Sequence, residues 1–190
     1  MSWDIKKQNW SGIVVTISTA IFAFVSLITI FISFTSWQTQ REAARPYFAF
    51  KESPSVYLND EVSFEFKFNN VGTHPATNLS SKTSVFEQHL LQKPILVDEY
   101  TVVNDIPKDT TTSLLLNINN KNIYEESDIK PHFIIISLSY ADPILRKSYT
   151  QTIYLKWSGV IAGKPQPFIH VEASEKQAIL NYLKSNHLLE

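Results

Sequence analysis

The run Val62-Ser63-Phe64-Glu65-Phe66-Lys67-Phe68 alternates apolar and polar residues without a break. Side chains of a β-strand point to opposite faces in turn, so the pattern predicts a strand with one face in a core and the other in water. The residues that follow, Asn69-Asn70-Val71-Gly72-Thr73-His74-Pro75, form a turn cluster. Working outward, runs of the same character recur at residues 47–51, 78–86, 96–103, 111–119, 132–140 and 148–157. Phe133-Ile134-Ile135-Ile136-Ser137-Leu138-Ser139-Tyr140 is apolar enough for a central strand, and 148–157 places Tyr149, Gln151, Ile153, Leu155 and Trp157 on one face. Asp142-Pro143 opens a hairpin connection between these two. About seven strands with turn signals between them predict an immunoglobulin-like β-sandwich over residues 47–158, with a small barrel as the competing arrangement.

Upstream the character of the chain is different. From Gln8 to Gln40 no residue is charged, and residues 13–34 are dense in Ile, Val, Phe and Ala. About 20 apolar residues cross a hydrocarbon core of about 30 Å, so residues 12–37 read as a transmembrane helix. Trp10 and Trp37 stand at its ends, with Lys6 and Lys7 outside one and Arg41 and Arg45 outside the other, as expected at headgroup level. The apolar run is longer than that of a cleaved signal, and Phe34-Thr35-Ser36-Trp37 is no small-residue cleavage site, so the helix reads as a retained signal-anchor. An N-terminal tail (1–11) precedes it. A polar helical stalk (38–46) follows and should stop at Pro46. Thr16, Thr19, Ala23, Ser26 and Ser33 share one face of the span, where small side chains allow a second helix to approach. The competing reading is that the hydroxyls bond carbonyls of their own helix. The balance of Lys and Arg around the span leans toward a cytoplasmic C-terminal domain in the cell membrane.

Beyond the β region, Gly163, Pro165 and Pro167 mark residues 159–172 as a linker. A short C-terminal helix is expected within 173–190. Ser174 and Gln177 have capping-box spacing, and Ala178, Ile179, Tyr182 and Leu183 form an apolar face that should pack on the β domain or on a neighbouring protomer.

Composition narrows the chemistry. The 17 basic and 18 acidic residues leave a net charge of −1, which gives no broad attraction to nucleic acid. Only four glycines are present, too scattered for a phosphate-cradling loop, and the lack of cysteine removes disulfides, thiolate nucleophiles and Cys-based metal sites. His74, His89, His132, His170 and His187 have no metal-ligand spacing, and the acidic pairs Asp98-Glu99 and Glu125-Glu126, with Asp128, read as solvated faces. No catalytic residue, cofactor site or metal site is predicted, so the chain is not expected to be an enzyme. Recognition is expected in the loops 71–78 and 140–149, through His74, Arg146, Lys147 and Tyr149.

The segment Phe64–Leu79, with an Asn…Gly…Pro-Ala turn behind an alternating strand, resembles the strand–turn–strand signature of bacterial adhesion-type (CARDB-like) immunoglobulin folds. The anchor, the basic stalk and Arg45-Pro46-Tyr47 resemble a broad group of bacterial single-pass membrane proteins that carry such a domain. The resemblance implies a sandwich fold and a bacterial or phage origin, and it brings no assigned reaction. The expected function is a membrane-anchored, non-catalytic binding module that meets a protein or ligand partner at the bilayer surface. The alternative is a self-assembling membrane effector of stress or phage-defence type, a homo-oligomer formed through its helices under control of the β domain.

Overall fold

A computed structural model describes residues 3–58, 61–90, 93–102, 104–118, 128–186 and 188, with side chains from Trp10 onward. It divides into two compact units, Met1–Ala44 and Arg45–Glu190.

The first unit is one helix, α1 (Trp3–Ala43). The expected tail, span and stalk are therefore continuous, helical from Trp3; Lys, Gln and Glu are good helix formers and nothing among them breaks the backbone ladder. The helix closes where Ala44 N–H donates to the Gln40 and Arg41 carbonyls at 3.1 and 3.2 Å, just short of Pro46. Its Trp10–Ala43 portion is long and apolar enough to cross a membrane, with a mean hydropathy of 2.5 in its most apolar stretch. Consecutive apolar residues such as Ile13, Val14 and Val15 place hydrophobic surface on every side of the helix, a pattern suited to lipid or to burial and not to water.

The second unit is mainly β. Its strands are β1 (Phe48–Phe50), β2 (Ser55–Leu58), β3 (Val62–Asn70), β4 (Thr77–Glu87), β5 (Leu96–Val102), β6 (Thr111–Ile118), β7 (His132–Asp142), β8 (Lys147–Trp157), β9 (Val160–Ile161), β10 (Lys164–Pro165) and β11 (Phe168–His170), followed by helix α2 (Ala173–Ser185). One sheet has β3 at its centre, with β6 along one edge and β1 and β2 end to end along the other. A five-stranded sheet runs β11-β8-β7-β4-β5, antiparallel throughout. The alternation read in β3 is the alternation of its burial: Val62, Phe64, Phe66 and Phe68 are buried, while Ser63, Glu65 and Lys67 are not. These side chains meet Ile134, Ile136, Leu138 and Leu155 of the five-stranded sheet in one core. Each fully buried ring contributes roughly 1.5–3 kcal/mol by leaving water. β7 is the middle strand, and its other face packs Phe133 and Ile135 against Ile179 and Leu183 of α2.

Eleven strands among the described residues replace the seven expected, and the four added ones are all short. β2 escapes a period-2 reading because Pro54 and the turn before it leave only Ser55–Leu58. The 159–172 stretch is no plain linker: it folds as β9, β10 and β11, and β11 pairs with β8 through Phe168–Trp157, Ile169–Lys156 and His170–Leu155. Its prolines interrupt any local pattern, and what holds it is non-local. Phe168 packs edge-on against Phe64 and Phe66, and Trp157 Nε1 donates to the Gln166 carbonyl at 3.0 Å. The capping interaction of α2 also lies two residues earlier than expected. Glu172 is the N-cap, and its N–H donates to the Glu175 carboxylate at 3.0 Å, so Ser174 lies inside the first turn. Glu175 is bonded as well to Lys156 Nζ of β8 at 2.6 Å, which fastens the start of α2 to the sheet.

Candidate functional site

Strand directions collect four segments at one end of the β unit. They are the entry segment Arg45–Tyr47, the β3–β4 turn, the β5–β6 loop and the β7–β8 hairpin. β3, β5 and β7 run toward this end, and β1, β4, β6 and β8 run away from it. Both loops singled out in the sequence therefore lie together, beside the segment that follows α1 in the chain.

Asn70, fully buried at the end of β3, organises this end. Its Oδ1 accepts from Tyr47 N–H at 3.2 Å and Gly72 N–H at 3.1 Å, and its Nδ2 donates to the carbonyls of His74 at 2.8 Å and Ile106 at 3.1 Å. One amide thus ties together the entry segment, its own turn and the β5–β6 loop. Gly72 supplies room where a side chain would not fit, since a Cβ there would fall on the Arg45 carbonyl oxygen. Gln151 of β8 brackets Phe48 from the other sheet, accepting from its N–H at 3.1 Å and donating to its carbonyl at 2.6 Å. The Tyr140 hydroxyl donates to the Pro46 carbonyl at 3.2 Å; burial pushes this phenol up, with the Arg45 charge opposing. The Arg45 guanidinium lies over the Tyr149 ring, 5.2 Å from its centroid.

The hairpin is pinned in turn by Asp142. Its side chain is fully buried, and Oδ1 accepts from the Ile144 and Leu145 N–H groups at 2.8 and 3.0 Å. Oδ2 accepts from His74 Nδ1 at 2.7 Å. Burial alone would raise this carboxyl; the His74 bond and the two backbone donors outweigh it and hold Asp142 below the ordinary carboxylate range. His74 is accordingly a partner of Asp142 that joins the two loops, whereas Arg146 and Lys147 are exposed on the hairpin and Tyr149 is half-buried beneath Arg45. Asn70, Asp142 and Gln151 are not among the site residues expected from the sequence. The turn cluster was the available signal for Asn70, and Asp before Pro at a hairpin for Asp142; nothing local marks Gln151.

In α1 the hydroxyls of Thr16, Thr19 and Ser26 donate to the carbonyls four residues back, Gly12, Val15 and Phe22, at 2.8–2.9 Å. Ala23 and Ser33 are exposed on the helix. Trp10 and Trp37 are exposed, and Arg41 lies 4.7 Å above the Trp37 ring. Lys6 and Lys7 belong to α1 by backbone, and their side chains lie outside the described residues. Elsewhere, His132 is buried beside Trp157 and His89 and His170 are exposed; Glu99 pairs with Lys82 at 3.4 Å, and Asp128 accepts from Ala162 N–H at 2.7 Å. Glu125, Glu126 and His187 lie outside the described residues.

Residues 10–160 match a protein family described as a domain of unknown function (DUF8453). The chain belongs to this family. The DUF8453 match takes in the long apolar portion of α1 together with the β unit as far as the first residue of β9, including every residue of the Asn70 and Asp142 networks. The β10–β11 segment and α2 lie beyond it. No curated protein matches the sequence.

Proposed function

We propose that the protein is a single-pass membrane protein of the cell membrane, anchored by α1, whose immunoglobulin-like, CARDB-like β-sandwich is a non-catalytic binding module. The observation that carries this reading is the bracing of the chain immediately after α1. Asn70, Gln151, Tyr140 and the space at Gly72 grip Arg45–Phe48 from both sheets. An ordered first segment suits a domain tethered to a bilayer, and a tether raises the effective concentration of the domain for a partner on the same surface. The sandwich reading is supported by the single core shared between the two sheets. The occurrence of helix and β unit within one family match supports a retained anchor over a removed signal. The partner is a protein or ligand met by loops or by β5, the edge strand of the sheet among the described residues, where Val97 and Tyr100 are exposed. The positive charges after the span favour a cytoplasmic β domain.

Self-assembly through α1 is the alternative, and three of the four hydroxyls it would use, those of Thr16, Thr19 and Ser26, already donate inside the helix. The test compares the full chain with the Arg45–Glu190 fragment in affinity capture from native membranes, alongside alkaline carbonate extraction of the full chain. The binding-module reading expects retention in the membrane pellet and the same partner on both forms. Loss of the partner with the helix, while the fragment is still folded by circular dichroism, argues against it.

A further inference from the structure

The entry end of the β unit combines exposed apolar tips with exposed cations. Ile144 at the tip of the β7–β8 hairpin is 51 % exposed, with Val71 in the β3–β4 turn and Tyr47 in the entry segment similarly exposed. Val71 N–H donates to the Tyr47 carbonyl at 2.8 Å, so these two are held side by side. The exposed cations are Arg45, Arg146, Lys147 and Lys108, against exposed Asp105 and Asp109; Lys108 lies 4.0 Å from Asp109, and Asp142 is buried and bonded to His74. At the opposite end the described residues include Glu61, Glu87 and Asp128 with Lys93, Lys130 and Lys164, no cationic excess.

We propose that this end is a lipid-docking face: the β3–β4 turn and the β7–β8 hairpin rest on an anionic bilayer surface, Ile144, Val71 and Tyr47 entering the headgroup layer while Arg45, Arg146 and Lys147 meet lipid phosphates. The inference rests on the reading of α1 as an anchor. Continuity of the chain argues for this occupant over a protein: Arg45 comes two residues after the end of α1, so any bilayer that holds α1 is at hand for the face that Arg45 begins. Charge complementarity argues for anionic headgroups, which attract clustered Lys and Arg near a membrane. The tips are also built to be stiff. Asp142 caps the hairpin from within, and Asn70 does the same for the β3–β4 turn, so apolar side chains are presented outward with little ordering left to do. Docking here leaves β5 and the opposite loops for the partner.

The cysteine-free sequence allows a direct test. Single cysteines are introduced in the full chain by Ile144→Cys and, as a matched control at the opposite end, by Ile161→Cys, a position 58 % exposed. Each is labelled with an environment-sensitive dye and the protein is reconstituted in phosphatidylcholine nanodiscs with or without phosphatidylglycerol. Acrylamide, a neutral quencher, then reports water access. The expected result is several-fold weaker quenching at position 144 than at 161 when phosphatidylglycerol is present, with the gap narrowed in phosphatidylcholine alone. Adding Arg146→Asn should narrow it too. Arg146 has φ of 55°, a conformation Asn tolerates, so this change removes charge without straining the turn. Equal quenching at the two positions in phosphatidylglycerol discs overturns the docking face while the anchor stands. Release of the full chain from membranes by alkaline carbonate overturns the anchor, and the docking face with it.

Discussion

His74 Nδ1 donates to Asp142 Oδ2 at 2.7 Å across 68 residues of sequence, joining the β3–β4 turn to the β7–β8 hairpin. The pair sits where Asp142 is completely enclosed and His74 is 12 % exposed, so neither side chain can turn to water if the other is lost. Removing the carboxylate also frees the Ile144 and Leu145 N–H groups. Asp142→Ala should therefore cost about 2–4 kcal/mol of stability, measured by urea unfolding of the full chain in micelles. Asp142→Asn should cost less, because its amide oxygen still accepts one set of bonds.

The same carboxylate imposes an acid limit. Its folded-state value is depressed, so the unfolded chain binds the proton more readily, and the stability that Asp142 contributes is fully present above the ordinary Asp value of about 3.9. That contribution is lost as pH falls through the lower folded-state value. Unfolding curves of wild type and Asp142→Asn should accordingly converge under strongly acid conditions and stay apart at neutral pH. A constant separation across the whole range would show that Asp142 acts only through its shape.

His132 imposes a separate limit at milder pH. It is buried next to Trp157, and burial lowers its value, with the Lys130 backbone and the Glu87 charge opposing only in part. Below about pH 6.5 the unfolded chain takes up a proton that the folded chain resists, so stability present above that pH declines as the solution is acidified. His132→Phe keeps the ring and removes the proton site. Its stability should be flat between neutral and mildly acid pH, where the wild type falls; a parallel fall in both would assign the effect elsewhere.

Much of this fold is written in short-range pattern, and the remainder is written in contacts that pattern does not carry. Residues 62–68 read as a strand because burial on one face imposes a two-residue period, and β3 has that period from Val62 to Asn70. α1 is legible for the complementary reason, a long run without a charge. β11 is not legible, since Phe168 owes its place to Phe64, Phe66 and the edge of β8, all distant in sequence. At the entry end, the turn residues announce a turn but not what it grips. The partners of Asn70 are supplied by Tyr47 and Ile106, and Gln151 meets Phe48 103 residues away. Asn78, where the sequence pattern predicts a strand to begin, has φ of 53° and sits where the β4–β7 register shifts, a bulge that one extra residue in a strand creates.

The core contains two polar groups whose removal should help. Among the described residues, the hydroxyls of Ser81 and Thr83 on β4 are buried with no hydrogen-bond partner, and Thr83 is completely enclosed. A buried hydroxyl with no partner forfeits its hydration and gains nothing in return. Thr83→Val preserves branching and nearly the same volume while replacing the hydroxyl with a methyl. It should stabilise the protein by about 1 kcal/mol in urea unfolding, and loss of stability would mean that the hydroxyl is satisfied in solution.

Gly72 offers the sharpest test of the grip on the entry segment. Its φ is not in the left-handed region, so an added methyl group meets no backbone penalty of its own; the obstacle is the Arg45 carbonyl and Pro46 backbone packed against it. Gly72→Ala must push the entry segment away, which would break the bonds from Tyr47 to Asn70 and from Tyr140 to Pro46. The expected loss is about 1–3 kcal/mol, the range for overpacking a well-packed site. Amide exchange at Tyr47 and Val71 should quicken markedly, while exchange in β7, held by β4 and β8, changes only as far as global stability does. Uniform acceleration across all strands would mean that the entry segment is no separate unit of the fold. Unchanged exchange at Tyr47 would mean that the segment is held by something other than Asn70 and Gly72.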